Sequence, residues 1–156
     1  KSDNFCAEAL MNKVLEVTTL SEAMNDLGIT DMRGCRIVDG GGLSRKNYVS
    51  PAFFCDFLSA MARKNCFRDY LASLPQPGKG TLASKLHNEP ESVKRRVYMK
   101  SGTMTGVRCF SGYVLPRNGD LSRLIMFSIM TNNVSAPSAI ESSCIDRIIA
   151  AIAARN

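Results

Sequence analysis

Leu124, Ile125, Met126, Phe127, Ile129 and Met130 make residues 124–130 an almost unbroken apolar run, interrupted only by Ser128. So short an apolar run reads as a strand covered on both faces. The pattern then changes period. Ile140, Cys144, Ile145, Ile148, Ile149 and Ile152 recur at helical spacing and predict an amphipathic C-terminal helix. Upstream, residues 97–103 and 107–115 read as strands. Pro116-Arg117-Asn118-Gly119 is a hairpin signal, with Asn-Gly supplying positive φ. The last third of the chain therefore predicts an antiparallel sheet of about three strands carrying one helix.

The first part is helical. Phe5, Ala9, Leu10, Val14 and Val17 place a helix over 4–16, started by Ser2, Asp3 and Asn4. A short helix fits 20–27, closed by Gly28. Residues 29–50 lack helical period. Arg36-Ile37-Val38 could be a short strand, and Asp39-Gly40-Gly41-Gly42 must be a turn. Ser50-Pro51 opens a helix whose stripe is Phe54, Phe57, Leu58 and Met61 and which should end near Asn65. Another short helix, 67–74, stops at Pro75-Gln76-Pro77-Gly78. The fold class is α+β. Three strands and one packed helix are few for a self-contained domain of that class.

Composition removes several function classes. No apolar run approaches the roughly 20 residues that span a bilayer. The net charge of +6 is scattered, and its densest run, Lys94-Arg95-Arg96, has no interleaved aromatics. It reads as a solvated face, which argues against nucleic acid as a partner. Six cysteines form no Cys-x-x-Cys pair and there is one histidine, so a zinc site is not expected and no metal ligands are assigned. The thiols pack as small hydrophobes or pair in an oxidising compartment, and both readings stay open.

Two triplets carry chemistry. Ser2-Asp3-Asn4 stands at a helix start, and Lys100-Ser101-Gly102 lies on a strand. Ser-x-x-Lys, Ser-Asp-Asn and Lys-Thr-Gly form the motif set of class A β-lactamases and penicillin-binding proteins. Each triplet alone is weak; their order, placement and separation make the pair more specific. The surroundings extend the match. Lys1-Ser2-Asp3-Asn4-Phe5-Cys6-Ala7-Glu8, Val38-Asp39-Gly40-Gly41-Gly42-Leu43-Ser44-Arg45, and Lys100-Ser101-Gly102-Thr103-Met104-Thr105-Gly106-Val107 with Ser111-Gly112-Tyr113-Val114 resemble, in collinear order, the dacB-type D-alanyl-D-alanine carboxypeptidases and endopeptidases. Ser101 stands where that family usually has threonine, and Gly41 where it usually has serine.

The resemblance implies the C-terminal part of a β-lactamase/transpeptidase-like fold, with residues 1–156 a partial penicillin-binding domain. It implies acyl transfer from peptidoglycan stem peptides ending in D-Ala-D-Ala, acylation by β-lactams, no cofactor, and a place in the periplasm or extracytoplasmic envelope. The implied catalytic residues are Ser2, Asn4, Lys100 and Thr103. Ser2 relays a proton, Asn4 holds the substrate amide, Lys100 and Ser101 meet the substrate carboxylate, and Gly102 admits the substrate backbone. The Thr103 N–H serves the oxyanion hole. The Asp39 glycine turn reads as structural, while Ser44 and Arg45 could support the site's wall. No Ser-x-x-Lys occurs in the chain. The nucleophile is therefore expected upstream of Lys1, with the fragment itself inactive. The missing segment, a partner chain, a homo-oligomer or an open apolar cleft beside Lys100 is expected to fill its place. No glutamate occurs between residues 23 and 88, which argues against a class A β-lactamase and its deacylating glutamate. The alternative is a non-catalytic peptidoglycan-binding or scaffold domain that kept the fold.

Overall fold

The structure, a computed structural model, describes residues 2–155. The chain divides into two compact units, Lys1–Lys64 and Asn65–Asn156. Among the described residues no helix is long and apolar enough to cross a membrane.

The first unit holds α1 (Asn4–Leu15), α2 (Leu20–Asp26) and α3 (Pro51–Ala62). Thr19 and Glu22 close a capping box at α2. Gly28 ends that helix at φ +82°, where a side chain would be strained. Ser50 Oγ accepts from the Phe53 N–H and Pro51 occupies the first turn of α3, as the sequence predicts. The small core of this unit is Ile29, Phe53 and Ala60, with Met24, Leu27 and Phe57 packed around it. Residues 36–38 form no strand. A single antiparallel bridge joins Arg36 to Tyr48, and next along the chain the Val38 N–H donates to the Asn47 side-chain oxygen at 2.7 Å instead of extending a ladder.

The apolar positions of α1 do not enter this core. Phe5 is 84% exposed, Leu10 68% and Val17 84%, and α1 buries no residue. This exposed apolar side belongs to the first unit and is not the cleft beside Lys100 that the sequence led us to expect. Two cavities, of about 260 and 160 Å³, lie at Pro116, Arg117, Asn118 and Arg123 and at Gln76, Pro77, Lys79 and Glu91, and Lys100 lines neither.

The second unit contains α4 (Phe67–Ser73), α5 (Glu91–Lys94), then β1 (Val97–Met104), β2 (Val107–Val114) and β3 (Ile125–Thr131), and finally α6 (Pro137–Ile140), a π-helical turn (Glu141–Ile145) and α7 (Asp146–Arg155). The sheet order is β1-β2-β3, antiparallel throughout. Val97, Met99, Phe110, Val114 and Phe127 on one face pack against Ile145, Ile149 and Ala153. Each large apolar side chain buried there contributes about 1.5–3 kcal/mol.

The connections take these forms, and one sequence expectation, the full burial of β3, shifts. The tight β1–β2 hairpin turns at Thr105-Gly106, where Gly106 has φ +73°. Pro116-Arg117-Asn118-Gly119 is a turn inside the longer β2–β3 connection, which also carries a 3₁₀ turn at Leu121–Arg123. β3 is buried only at Phe127; Met126, Ser128 and Met130 on its other face are half-buried. Among the described residues Cys6, Cys35, Cys66 and Cys109 are free thiols; Cys6, Cys66 and Cys144 are exposed and the other three half-buried.

Candidate active site

At the start of α1 the cap is Asp3. Its Oδ1 accepts from the Phe5 and Cys6 N–H groups, both at 3.1 Å. Asp3 therefore takes the role that Ser2 or Asn4 would fill as mere caps. Both of those side chains are exposed, and no hydrogen bond ties either to another described residue. Behind them, Glu8 Oε2 accepts from the Gly40 and Gly41 N–H groups at 2.7 and 3.0 Å, drawing the glycine turn onto the helix. A Cβ on Gly40 would meet Met11 Cβ at 2.5 Å and Ala7 O at 2.7 Å. Close approach is what this glycine provides.

Asp39 organises the rest of the turn. Its carboxylate accepts from the Asn47 side-chain amide and from the Gly42, Leu43 and Ser44 N–H groups. The Asn47 bond, aided by the three backbone donors, holds its pKa below the ordinary Asp value against desolvation. Because the folded value lies below the unfolded one, the carboxylate's contribution is present above the ordinary Asp range and lost as pH falls through the depressed pKa. The amide resonances of Gly42, Leu43 and Ser44 should shift together in an acid titration, with one midpoint below that range. Independent midpoints, or one at the ordinary Asp value, would contradict this arrangement.

Lys100, Ser101, Gly102 and Thr103 lie consecutively on β1, in the second unit, whereas Ser2 and Asn4 belong to the first. Two bonds fix which way the β1 backbone points. Leu115 N–H donates to Arg96 O, so Arg96 and its alternates Tyr98, Lys100 and Gly102 bond toward β2. Met99 N–H instead donates outward, to Pro75 O. By the two-residue period, Ser101 and Thr103 also turn their N–H and C=O groups to the outer edge. No other described strand pairs with that edge. The Lys100 ammonium donates to Ser101 O on this edge. Although Lys100 as a residue is exposed, desolvation at its amino end holds its pKa below the ordinary lysine value.

Register places Lys100, Ser111 and Ser128 in one row across the sheet. Ser111 and Ser128 share a hydroxyl–hydroxyl bond of 2.8 Å. One row away Tyr113 is fully buried under Phe67 and Tyr70, with ring centroids at 5.3 and 6.3 Å. Burial raises both tyrosine pKa values. Ser101 and Thr103 lie on the opposite face, with Phe110 and Arg108. A ligand touching both Lys100 and Ser101 must therefore lie along the strand edge. A Cβ on Gly102 would meet only Cys109 Cβ, at 3.5 Å, so nothing within the chain requires glycine there.

Residues 1–154 match the D-Ala-D-Ala carboxypeptidase 3 (S13) family. The chain belongs to that family. It is similar to a D-alanyl-D-alanine carboxypeptidase of Actinomadura sp. (strain R39), 35% identical over 76% of this chain and 22% of that protein. It is 34% identical to the penicillin-sensitive carboxypeptidase A of Dictyostelium discoideum, over 72% of this chain and 22% of that one. The chain thus spans about a fifth of those S13 relatives. In fold it is similar to penicillin binding protein 4 (dacB) of Haemophilus influenzae in complex with a beta-lactam: TM-score 0.78, 23% identity, 99% of this chain and 39% of that structure. Helices, a three-stranded antiparallel sheet and a C-terminal helix are what the S13 chain shares with it.

Residues that the motifs alone do not point to also surround β1. Arg108, Glu141 and Lys85 form a nearly buried ion-pair group on the Thr103 side of the sheet. They are far apart in sequence and carry no local spacing signal. Gly112, by contrast, stands beside the Lys100 motif on β2, and a Cβ there would meet Tyr98 O of the neighbouring strand at 2.0 Å, a steric role that its motif does not reveal.

Proposed function

We propose that the chain is the part of a serine-type D-Ala-D-Ala carboxypeptidase or endopeptidase that binds the stem-peptide carboxylate and completes the oxyanion hole, working in the cell envelope outside the cytoplasm. The observation that carries this reading is the outer edge of β1, where a family-matched Lys-Ser-Gly-Thr run offers an ammonium, a hydroxyl and an outward N–H within four residues. A serine nucleophile from a segment outside these 156 residues attacks the D-Ala carbonyl carbon, and its proton passes to a lysine of that segment. The Thr103 N–H stabilises the oxyanion. The C–N bond breaks, Ser2 relays a proton to the departing D-Ala amine, and water then hydrolyses the acyl ester. Asn4 holds the substrate amide; Lys100 and Ser101 hold the terminal carboxylate; the absence of a side chain at Gly102 admits the substrate backbone. β-Lactams are acylating ligands of the same site.

Ser101 tests this directly in the full-length protein. Losing a hydrogen bond to a charged group costs about 1.5–3 kcal/mol, or roughly ten- to a hundred-fold. Ser101→Ala should slow acylation by labelled penicillin by that factor, and Ser101→Thr, which keeps the hydroxyl, should be nearly silent. Equal rates for wild type and Ser101→Ala would refute the carboxylate role.

A further inference from the structure

Arg108 stands directly across the ladder from Thr103. Its Nη1 donates to Met104 O at 3.1 Å and to Val107 O at 2.8 Å, the two residues that flank the Thr105-Gly106 turn. Its Nε donates to Glu141 Oε1 at 2.6 Å, and Glu141 Oε2 accepts from Lys85 Nζ, also at 2.6 Å. The three side chains are only 11–16% exposed. Lys85 Nζ also lies 5.1 Å from the centre of the Phe110 ring, and Phe110 is the ladder partner of Ser101. Glu141 opens the π-helical turn between α6 and α7, and such turns recur at functional sites. The carboxylate therefore links the C-terminal helices to the end of the motif strand.

We propose that Glu141 is a positioning residue: through Arg108 it holds the turn that ends β1 and so fixes the outward N–H of Thr103. The proposal rests on the acyl-transfer reading above and names a residue that no motif of the site contains. Nη1 bonds the carbonyls on both sides of the turn while Nε of the same rigid plane bonds Glu141, a two-point hold that the single ammonium of a lysine does not reproduce. Without Glu141 the guanidinium would be a nearly buried cation lacking its carboxylate, and it would turn toward water. The turn would lose its clamp and the Thr103 N–H its fixed direction. Lys100 and Ser101 lie further from the turn and would keep their hold on the substrate carboxylate. The loss should fall on the chemical step, because displacing an oxyanion donor by about 1 Å costs up to about a hundred-fold in rate.

The experiment uses the full-length protein and separates the dissociation constant of penicillin before acylation from the acylation rate constant, per folded molecule. Glu141→Gln should slow acylation about ten- to a hundred-fold while the dissociation constant stays within about two-fold. Arg108→Lys should show the same split, and the double variant should be no slower than the worse single one, as expected for residues acting in one chain of contacts. Should Glu141→Gln fail to fold, Glu141→Asp, which keeps the charge, should show a smaller loss of the same kind. Wild-type acylation rates in the folded variants overturn the proposal and leave the acyl-transfer reading standing. So does a loss confined to affinity. A wild-type protein that takes no penicillin at all overturns the reading itself.

Discussion

The 156 residues alone should form no covalent adduct with excess penicillin, and the full-length protein should form one per molecule. The chain has Lys100, Ser101 and the Thr103 N–H on one strand edge but no serine followed three residues later by lysine. A hydroxyl without a base beside it is a weak nucleophile at neutral pH. Phe5, Leu10 and Val14 leave one side of α1 apolar and exposed, and on the acyl-transfer reading we propose that the nucleophile-bearing segment is supplied from outside these residues. Adding that segment as a separate chain should restore acylation in proportion to complex formed. Intact-mass spectrometry decides the matter. A stoichiometric acyl adduct on any serine of the isolated chain would mean that the nucleophile lies within it. A full-length protein that binds peptidoglycan but never becomes acylated would favour the scaffold alternative.

Gly112→Ala should cripple the second unit. The new Cβ would sit 2.0 Å from Tyr98 O, 2.6 Å from Met99 Cα and 2.8 Å from Met99 Cβ. The nearest of these are backbone atoms of the neighbouring strand, so no rotamer change relieves the clash. Overpacking costs typically about 1–3 kcal/mol when side chains can adjust, and here the strand itself must shift. We expect a loss at or beyond the top of that range by urea denaturation, or failure to fold. Gly102→Ala is the matched control on the adjacent strand. Its Cβ meets only Cys109 Cβ at 3.5 Å, so the folding midpoint should hardly move, while acylation falls because the methyl occupies the substrate's path. Wild-type stability for Gly112→Ala would refute the steric account.

Local signals were readable in proportion to how local their cause is. Ser50-Pro51 and Gly28 mark helix ends because cap geometry depends on adjacent residues alone. The strands were legible to within a residue or so from alternation and apolar runs. Pro116-Arg117-Asn118-Gly119 was legible as a turn between β2 and β3 because its chemistry is local, while Thr105-Gly106 closes the β1–β2 ladder with a single glycine and carries a weaker signal. The stripe on α1 located the helix; periodicity reports an apolar side and is silent on what covers it. Lys85, Arg108 and Glu141 meet only through the fold, so no spacing rule could assemble them. The helix start at Ser2-Asp3-Asn4 and the strand at Lys100 were each legible from their motifs, whereas the contacts that hold each in place were not.

The glycine turn beneath α1 also orders events in time. A twelve-residue helix is marginal in water by itself, and α1 buries nothing of its own. Its tie to the rest of the unit is Glu8 bonding Gly40 and Gly41, a contact across more than thirty residues. Closing such a loop is an entropic cost that must be met before the contact forms, so the Ser2-Asp3-Asn4 end should be among the last parts to become ordered. During synthesis the ribosome releases these residues well before their anchor exists. Substitutions at Glu8 or Gly40 should therefore change how fast the first turn of α1 matures, with little effect on the second unit, which has a core of its own.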